Sequence, residues 1–110
     1  MGDRVLMQCY SGEEFGPAVY GHWSGESAPA IVEKLRKQMQ GRPDDLAYAS
    51  ARLVQCMIGT DTGNTGFGIW NVDHILRAED THGDAGVVLI DVSTPEMRAM
   101  LLGGYLRGRI

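Results

Sequence analysis

The groups in this chain that could do chemistry are three histidines, His22, His74 and His82, two cysteines, Cys9 and Cys56, and fourteen aspartates and glutamates. A zinc site usually draws its ligands in close pairs, Cys-x-x-Cys or two histidines one helical turn apart, and no such pair occurs. The acidic run Glu79-Asp80-Thr81-His82-Gly83-Asp84 fails as a calcium loop: with Gly83 at the sixth position, Ala78 stands where the first aspartate must be. A nucleophilic enzyme needs a thiol or hydroxyl held by a histidine. Cys56 sits beside the apolar stripe of an expected helix and Cys9 on the alternating face of an expected strand, where thiols are buried and inert. No Gly-x-Ser-x-Gly elbow is present. The glycines at 59, 63, 66 and 68 lead into a strand and lack the lysine of a phosphate-binding loop. Neither a catalytic constellation nor a metal or other cofactor is expected.

Two features remain. The acidic run has the composition of a tight or bulged hairpin connection, in which Asp and Gly supply positive φ and side-chain hydrogen bonds to the backbone. His22-Trp23 lies on an expected strand, where neighbours face opposite sides. One reading buries Trp23 and gives His22 a carboxylate or carbonyl partner; the other makes His22, with Tyr20 on the same face, part of an exposed recognition surface. Candidate binding residues are therefore Tyr20, His22, Glu79, Asp80, His82 and Asp84.

These residues must be positioned by a chain of 110 residues that is 44% hydrophobic, enough for one domain with its own core. No window approaches a membrane span, and Met1-Gly2-Asp3-Arg4 runs into a strand-like stretch without the features of a signal peptide, so the expected location is cytoplasmic with the cysteines reduced. A net charge of −4 argues against gripping nucleic acid by its backbone. The charge is uneven. Residues 61–93 hold Asp61, Asp73, Glu79, Asp80, Asp84 and Asp91 against Arg77 alone, whereas residues 31–42 hold Lys34, Arg36, Lys37 and Arg42 against Glu33. An electrostatically two-sided molecule is expected.

Alternation predicts strands over Arg4–Tyr10 and Pro17–Trp23, paired as a hairpin. Ser27 as N-cap and Pro29 in the first turn predict a helix from about Ala28 to Gln40, with Ile31, Val32, Leu35 and Met39 inward and Gly41 at its end. Arg42-Pro43-Asp44-Asp45 starts a second helix with an Asp cap and a broad stripe, Leu46, Ala49, Leu53 and Met57, ending at Gly59. The stretch 60–66 reads as a loop. Phe67–His74 and Gly86–Val92 read as a second hairpin joined across the acidic run. Thr94-Pro95-Glu96 predicts a short helix, Pro95–Leu102, with Met97, Met100 and Leu101 buried, followed by a basic tail at Arg107-Gly108-Arg109. The order β-β-α-α-β-β-α predicts a single α+β domain over 1–110: an antiparallel sheet of about four strands with two or three helices on one face, and 94–110 as a helical extension suited to a homodimer contact.

Several pieces of the chain, in this order, carry a resemblance. They are Met1-Gly2-Asp3-Arg4-Val5, Val19-Tyr20-Gly21-His22-Trp23-Ser24-Gly25, Ala51-Arg52-Leu53-Val54-Gln55, and Glu79-Asp80-Thr81-His82-Gly83-Asp84-Ala85-Gly86 with its following strand Val87-Val88-Leu89-Ile90. Together they resemble a family of small uncharacterised bacteriophage and prophage proteins, with Ser24 where the family has Asn and with residues 94–110 added beyond its usual end. The family has no established activity. The resemblance implies a phage accessory protein that works by binding a host protein or nucleoprotein complex, with inhibitors of host defence of the anti-CRISPR kind as one such class. A small-ligand or nucleotide-binding protein built around Tyr20, His22 and the acidic run, with weak hydrolase activity, is the alternative, and an oligomeric structural component of a phage a third.

Overall fold

A computed structural model of the chain describes residues 2–60, 63 and 66–106. Asp61, most of the 60–66 loop and the expected basic tail at 107–109 lie outside the described residues. The elements are β1 (Val5–Ser11), β2 (Glu14–Phe15), β3 (Ala18–Gly21), α1 (Ala28–Gln38), α2 (Leu46–Ile58), β4 (Phe67–Trp70), a 3₁₀ turn (Ala78–Asp80), β5 (Gly86–Asp91) and β6 (Ala99–Leu102). The class is α+β, as expected from the sequence. Among the described residues no helix is long and apolar enough to cross a membrane.

The sheet is mixed and has more strands than the sequence suggested, in the order β4-β3-β1-β5-β6 with β2 paired to β1. The first hairpin forms as expected, with Val5 opposite Gly21 and Met7 opposite Val19. The second hairpin does not form. β4 pairs antiparallel with β3, while β5 lies parallel to β1, Val5 beside Gly86 through Tyr10 beside Asp91. The uninterrupted run Ala85–Ile90 explains this: every residue in it is buried, the condition of a central strand covered on both faces rather than of a hairpin arm.

Alternation sorts the two faces. Val5, Met7, Cys9, Val19, Val88 and Ile90 face α1 and α2, whose Ile31, Val32, Leu35, Leu53 and Met57 complete the main core. Asp45 caps α2 by accepting the Tyr48 N–H at 3.1 Å, and Gly59 ends it at φ 61°. Ser27 occupies the N-cap position of α1 without a side-chain cap bond. Cys9 and Cys56 are free and buried, and burial pushes the Cys9 thiol up to about 12.

The opposite face carries Leu6, Ala18, Val87 and Leu89, and what covers it is irregular chain: Val72, Ile75 and Leu76. Gln8, fully buried among them, ties that segment down. Its amide donates to the carbonyls of Gly16 at 2.9 Å and His74 at 3.3 Å, and its oxygen accepts the Leu76 N–H at 2.8 Å.

The expected helix over 95–102 is replaced by a turn and a strand. Met97 closes a single turn onto Thr94 at 3.1 Å and takes φ 47°, which no helix continues through. The chain then pairs with β5, Leu102 opposite Val87 and Ala99 opposite Ile90. Met97 is buried as expected, but Met100 is 51% exposed on the edge strand. The segment 94–106 is therefore built into the domain, with 99–102 a strand of its sheet and Leu106 returning to the core. Gly103 and Gly104 make that return possible: Gly103 has φ 67°, and a side chain on Gly104 would run into the Ala85 carbonyl.

Candidate functional site

On strand β3, Ala18 and Tyr20 face away from the helices, and His22 continues the same side just past its end. The Tyr20 hydroxyl and His22 Nδ1 share a hydrogen bond of 2.7 Å. Register places Gly68 beside Tyr20 and Trp70 beside Ala18, so the absence of a side chain at 68 leaves room for the large rings around it. His82, brought over this face by the 71–85 segment, stacks on Trp70 at 5.7 Å between centroids and 20° between planes, and lies 5.2 Å from the Tyr20 ring. Trp70 and Tyr20 are 6.2 Å apart. Trp23 meets His22 edge to face at 4.4 Å. The result is a continuous chain of rings, Trp23, His22, Tyr20, His82 and Trp70, within the 4.5–7 Å range of favourable aromatic pairs or just under it.

The scaffold beneath these rings comes from distant parts of the chain. Gly2 packs so close to His22 that a Cβ there would lie 2.6 Å from Nε2. The Asp3 N–H donates to the His22 carbonyl at 2.7 Å, and the Asp3 carboxylate accepts the Glu26 N–H at 2.8 Å and the Tyr105 hydroxyl at 2.5 Å. Arg4 donates to the Asp84 carboxylate through both its backbone N–H and Nε at 3.0 Å. These bonds hold Asp84 below the usual carboxylate range, the backbone N–H of Arg4 contributing most. Three segments far apart in sequence, the N-terminus, the His-Trp strand and the acidic run, thus meet at one corner of the fold.

Beside the rings is an open cleft of about 610 Å³. Trp70, His82, Asp73, His74, Asp80 and Leu6 are among the residues lining it. His74 is held between two carboxylates, Nδ1 to Asp73 at 2.6 Å and Nε2 to Asp80 at 3.0 Å. The bond to Asp73, then that to Asp80, raises its pKa above the ordinary 6.5. Asp80 is lowered, chiefly because its carboxylate accepts the Arg77 N–H at 2.7 Å and so caps the 3₁₀ turn. With both ring nitrogens engaged, His74 is an anchor for its loop.

Of the residues singled out from sequence, the structure gathers Tyr20, His22 and His82 into one cluster and places Asp80 in the adjoining cleft. Asp84 is a strut under the cluster, paired with Arg4, and Glu79 lies away from it, 4.0 Å from Arg77. The acidic run does supply positive φ, at Gly83 (103°), Asp84 (50°) and Gly86 (99°), although it links a surface segment to a parallel strand instead of closing a hairpin. Trp23 is 51% exposed, which overturns the reading that buries it. Trp70, His74 and the exposed position of Trp23 were not anticipated. A signal for Trp70 was present: Ile69 and Trp70 are neighbours on a short strand, so they face opposite sides, and only a strand covered on both faces could bury both.

Among the described residues no group of three or more His, Cys, Asp or Glu side chains is arranged to hold a metal ion. The arrangement offers ring faces, ring-nitrogen and hydroxyl hydrogen-bonding groups and carboxylates, which are means of recognition. No protein-family model, curated protein or solved structure matches the chain, so the site is read from its own geometry.

Proposed function

We propose that this protein acts by binding, and that the aromatic-histidine face is the surface by which it engages a host macromolecule. The observation that carries this reading is that both tryptophans of the chain are exposed, Trp23 at 51% and Trp70 at 39%, and are linked by Tyr20, His22 and His82 into one surface. Exposed large apolar groups gathered in one place mark interaction sites, and Trp and Tyr dominate binding energy at interfaces. The resemblance to phage and prophage proteins supplies the setting: an accessory protein in the cytoplasm of a bacterial host, inhibiting a host defence complex in the manner of anti-CRISPR proteins. The carboxylates around the cleft suit a basic surface on such a partner.

The test is affinity purification from host cells with the wild-type chain and with Trp70→Ala and Trp23→Ala. Recovery of one host protein by the wild type, weakened at raised salt and lost in both variants at unchanged melting temperature, supports the reading. Recovery that is indifferent to both substitutions, or no recovery at all, refutes it.

A second reading has its own observation. The cleft brings Trp70, His82 and Asn71 together with the Asp73 and Asp80 carboxylates, a combination of stacking face and polar groups that suits a small planar ligand such as a nucleobase. A nucleotide or nucleoside that shifts His82 and Trp70 resonances at micromolar concentration would favour it over the first.

A further inference from the structure

We propose that the outer edge of β4 accepts an extended, arginine-bearing segment of a partner protein as an additional strand. The proposal rests on the reading that the aromatic-histidine face binds a protein, and it specifies how.

β4 is the terminal strand of the sheet, and among the described residues no strand pairs with its outer side. The bond from the His22 N–H to the Gly66 carbonyl, 2.8 Å, fixes the phase of the β3–β4 ladder. His22 and Gly66, Tyr20 and Gly68, and Ala18 and Trp70 are then the hydrogen-bonded pairs, which leaves the N–H and C=O of Phe67 and Ile69 directed outward. Natural edge strands are usually blunted by lysine, proline or a bulge. Phe67-Gly68-Ile69-Trp70 has no charge and no proline.

The side chains extend the match. Ile69 is 55% exposed on the helix-facing side and Trp70 39% exposed on the other, so an added strand would cover apolar surface on both faces while its backbone completes the ladder. The charge of the occupant follows from the cleft that Trp70 lines. Asp73 lines it too, its side chain 97% exposed and its Oδ1 within 2.6 Å of His74 Nδ1. An exposed indole face beside an exposed carboxylate suits a guanidinium, which stacks on the one and pairs with the other.

The experiment uses the whole chain, isotopically labelled, and an octapeptide of alternating arginine and valine. Amide shifts centred on Phe67 and Ile69, with quenching of tryptophan fluorescence that Trp70→Phe abolishes and Trp23→Phe does not, are expected. Replacing arginine by glutamate in the peptide, N-methylating its four central residues, or making Ile69→Lys should each weaken binding at least tenfold, the variant keeping the wild-type melting temperature. Absence of shifts at 67 and 69 up to millimolar peptide overturns the proposal, as does equal binding of the N-methylated or glutamate peptide. So does a dimer in sedimentation that Ile69→Lys dissociates, since the edge would then hold a second copy. If the peptide fails while host-protein capture remains dependent on Trp70 and Trp23, strand addition is wrong and the binding surface stands; if the peptide binds at the edge and no host protein is captured, the reverse holds.

Discussion

His74 is the residue whose behaviour the geometry constrains most tightly. Its folded pKa lies above 6.5 because Asp73 and Asp80 accept from both ring nitrogens, so the stabilisation it gives the 71–80 segment is full below 6.5 and is lost as pH rises through the folded value. Asp80 runs the other way: its pKa is lowered from 3.8, and its contribution is present above 3.8 and lost as pH falls. The segment is therefore held best between those two values. A proton titration followed by NMR should give His74 a midpoint above 6.5 that falls in Asp80→Asn; an unshifted midpoint would show that the paired geometry does not persist in solution. Gln8 offers a second check. Gln8→Leu strips partners from the Leu76 N–H and two carbonyls and should cost about 2–3 kcal/mol in denaturant unfolding, with faster hydrogen exchange at Leu76. None of this was legible in the sequence. Gln8 and His74 are 66 residues apart, and a lone glutamine on an apolar strand gives no hint of what it holds.

The elements were legible wherever their signals are local. Proline and small residues at the start of α1, the Asp45 cap and Gly59 set the helices close to where they were expected, and Asp45→Ala should cost about 1 kcal/mol of stability. Pairing was not legible, because it depends on which strands compete for the centre of the sheet. Both faces of β1 are covered, and the continuous apolar run of β5 meets that condition better than β4, which has two glycines and bulky groups on both sides at or near it. The C-terminal segment shows the same override. Thr94-Pro95-Glu96 starts one turn as a helix would, but Leu101 and Leu102 gain more by pairing with β5 than a helix of about eight residues can retain alone. The two arrangements are separated by a pair of substitutions. Met97→Ala should destabilise by about 2–5 kcal/mol, whereas Met100→Ala should stay within about 0.5 kcal/mol; equal losses at both positions would restore the helical reading. Deletion of 99–110 removes an integral strand and buried Leu106, and is expected to leave no cooperatively folded protein by thermal unfolding.

Over the whole molecule the two-sided charge expected from the sequence takes physical form as two layers. Lys34, Arg36 and Lys37 belong to α1 on one face of the sheet, and Asp73, Glu79, Asp80 and Asp84 belong to the segment that crosses the other. That acidic side is less bare than composition suggests, since Arg4 and His74 take up Asp84, Asp73 and Asp80. What distinguishes it is the aromatic surface beside the carboxylates, at the unpaired end of the sheet. On the binding function proposed above, this surface serves a partner and contributes little to the fold. The most direct measurement is host-protein capture by the wild type, by Trp70→Ala and by Lys37→Ala on the far side, with the melting temperature of each recorded. All three should melt within about 4 °C of one another, as exposed substitutions do, and only Trp70→Ala should lose its captured partner. Capture retained by Trp70→Ala, or lost equally by Lys37→Ala, would contradict it.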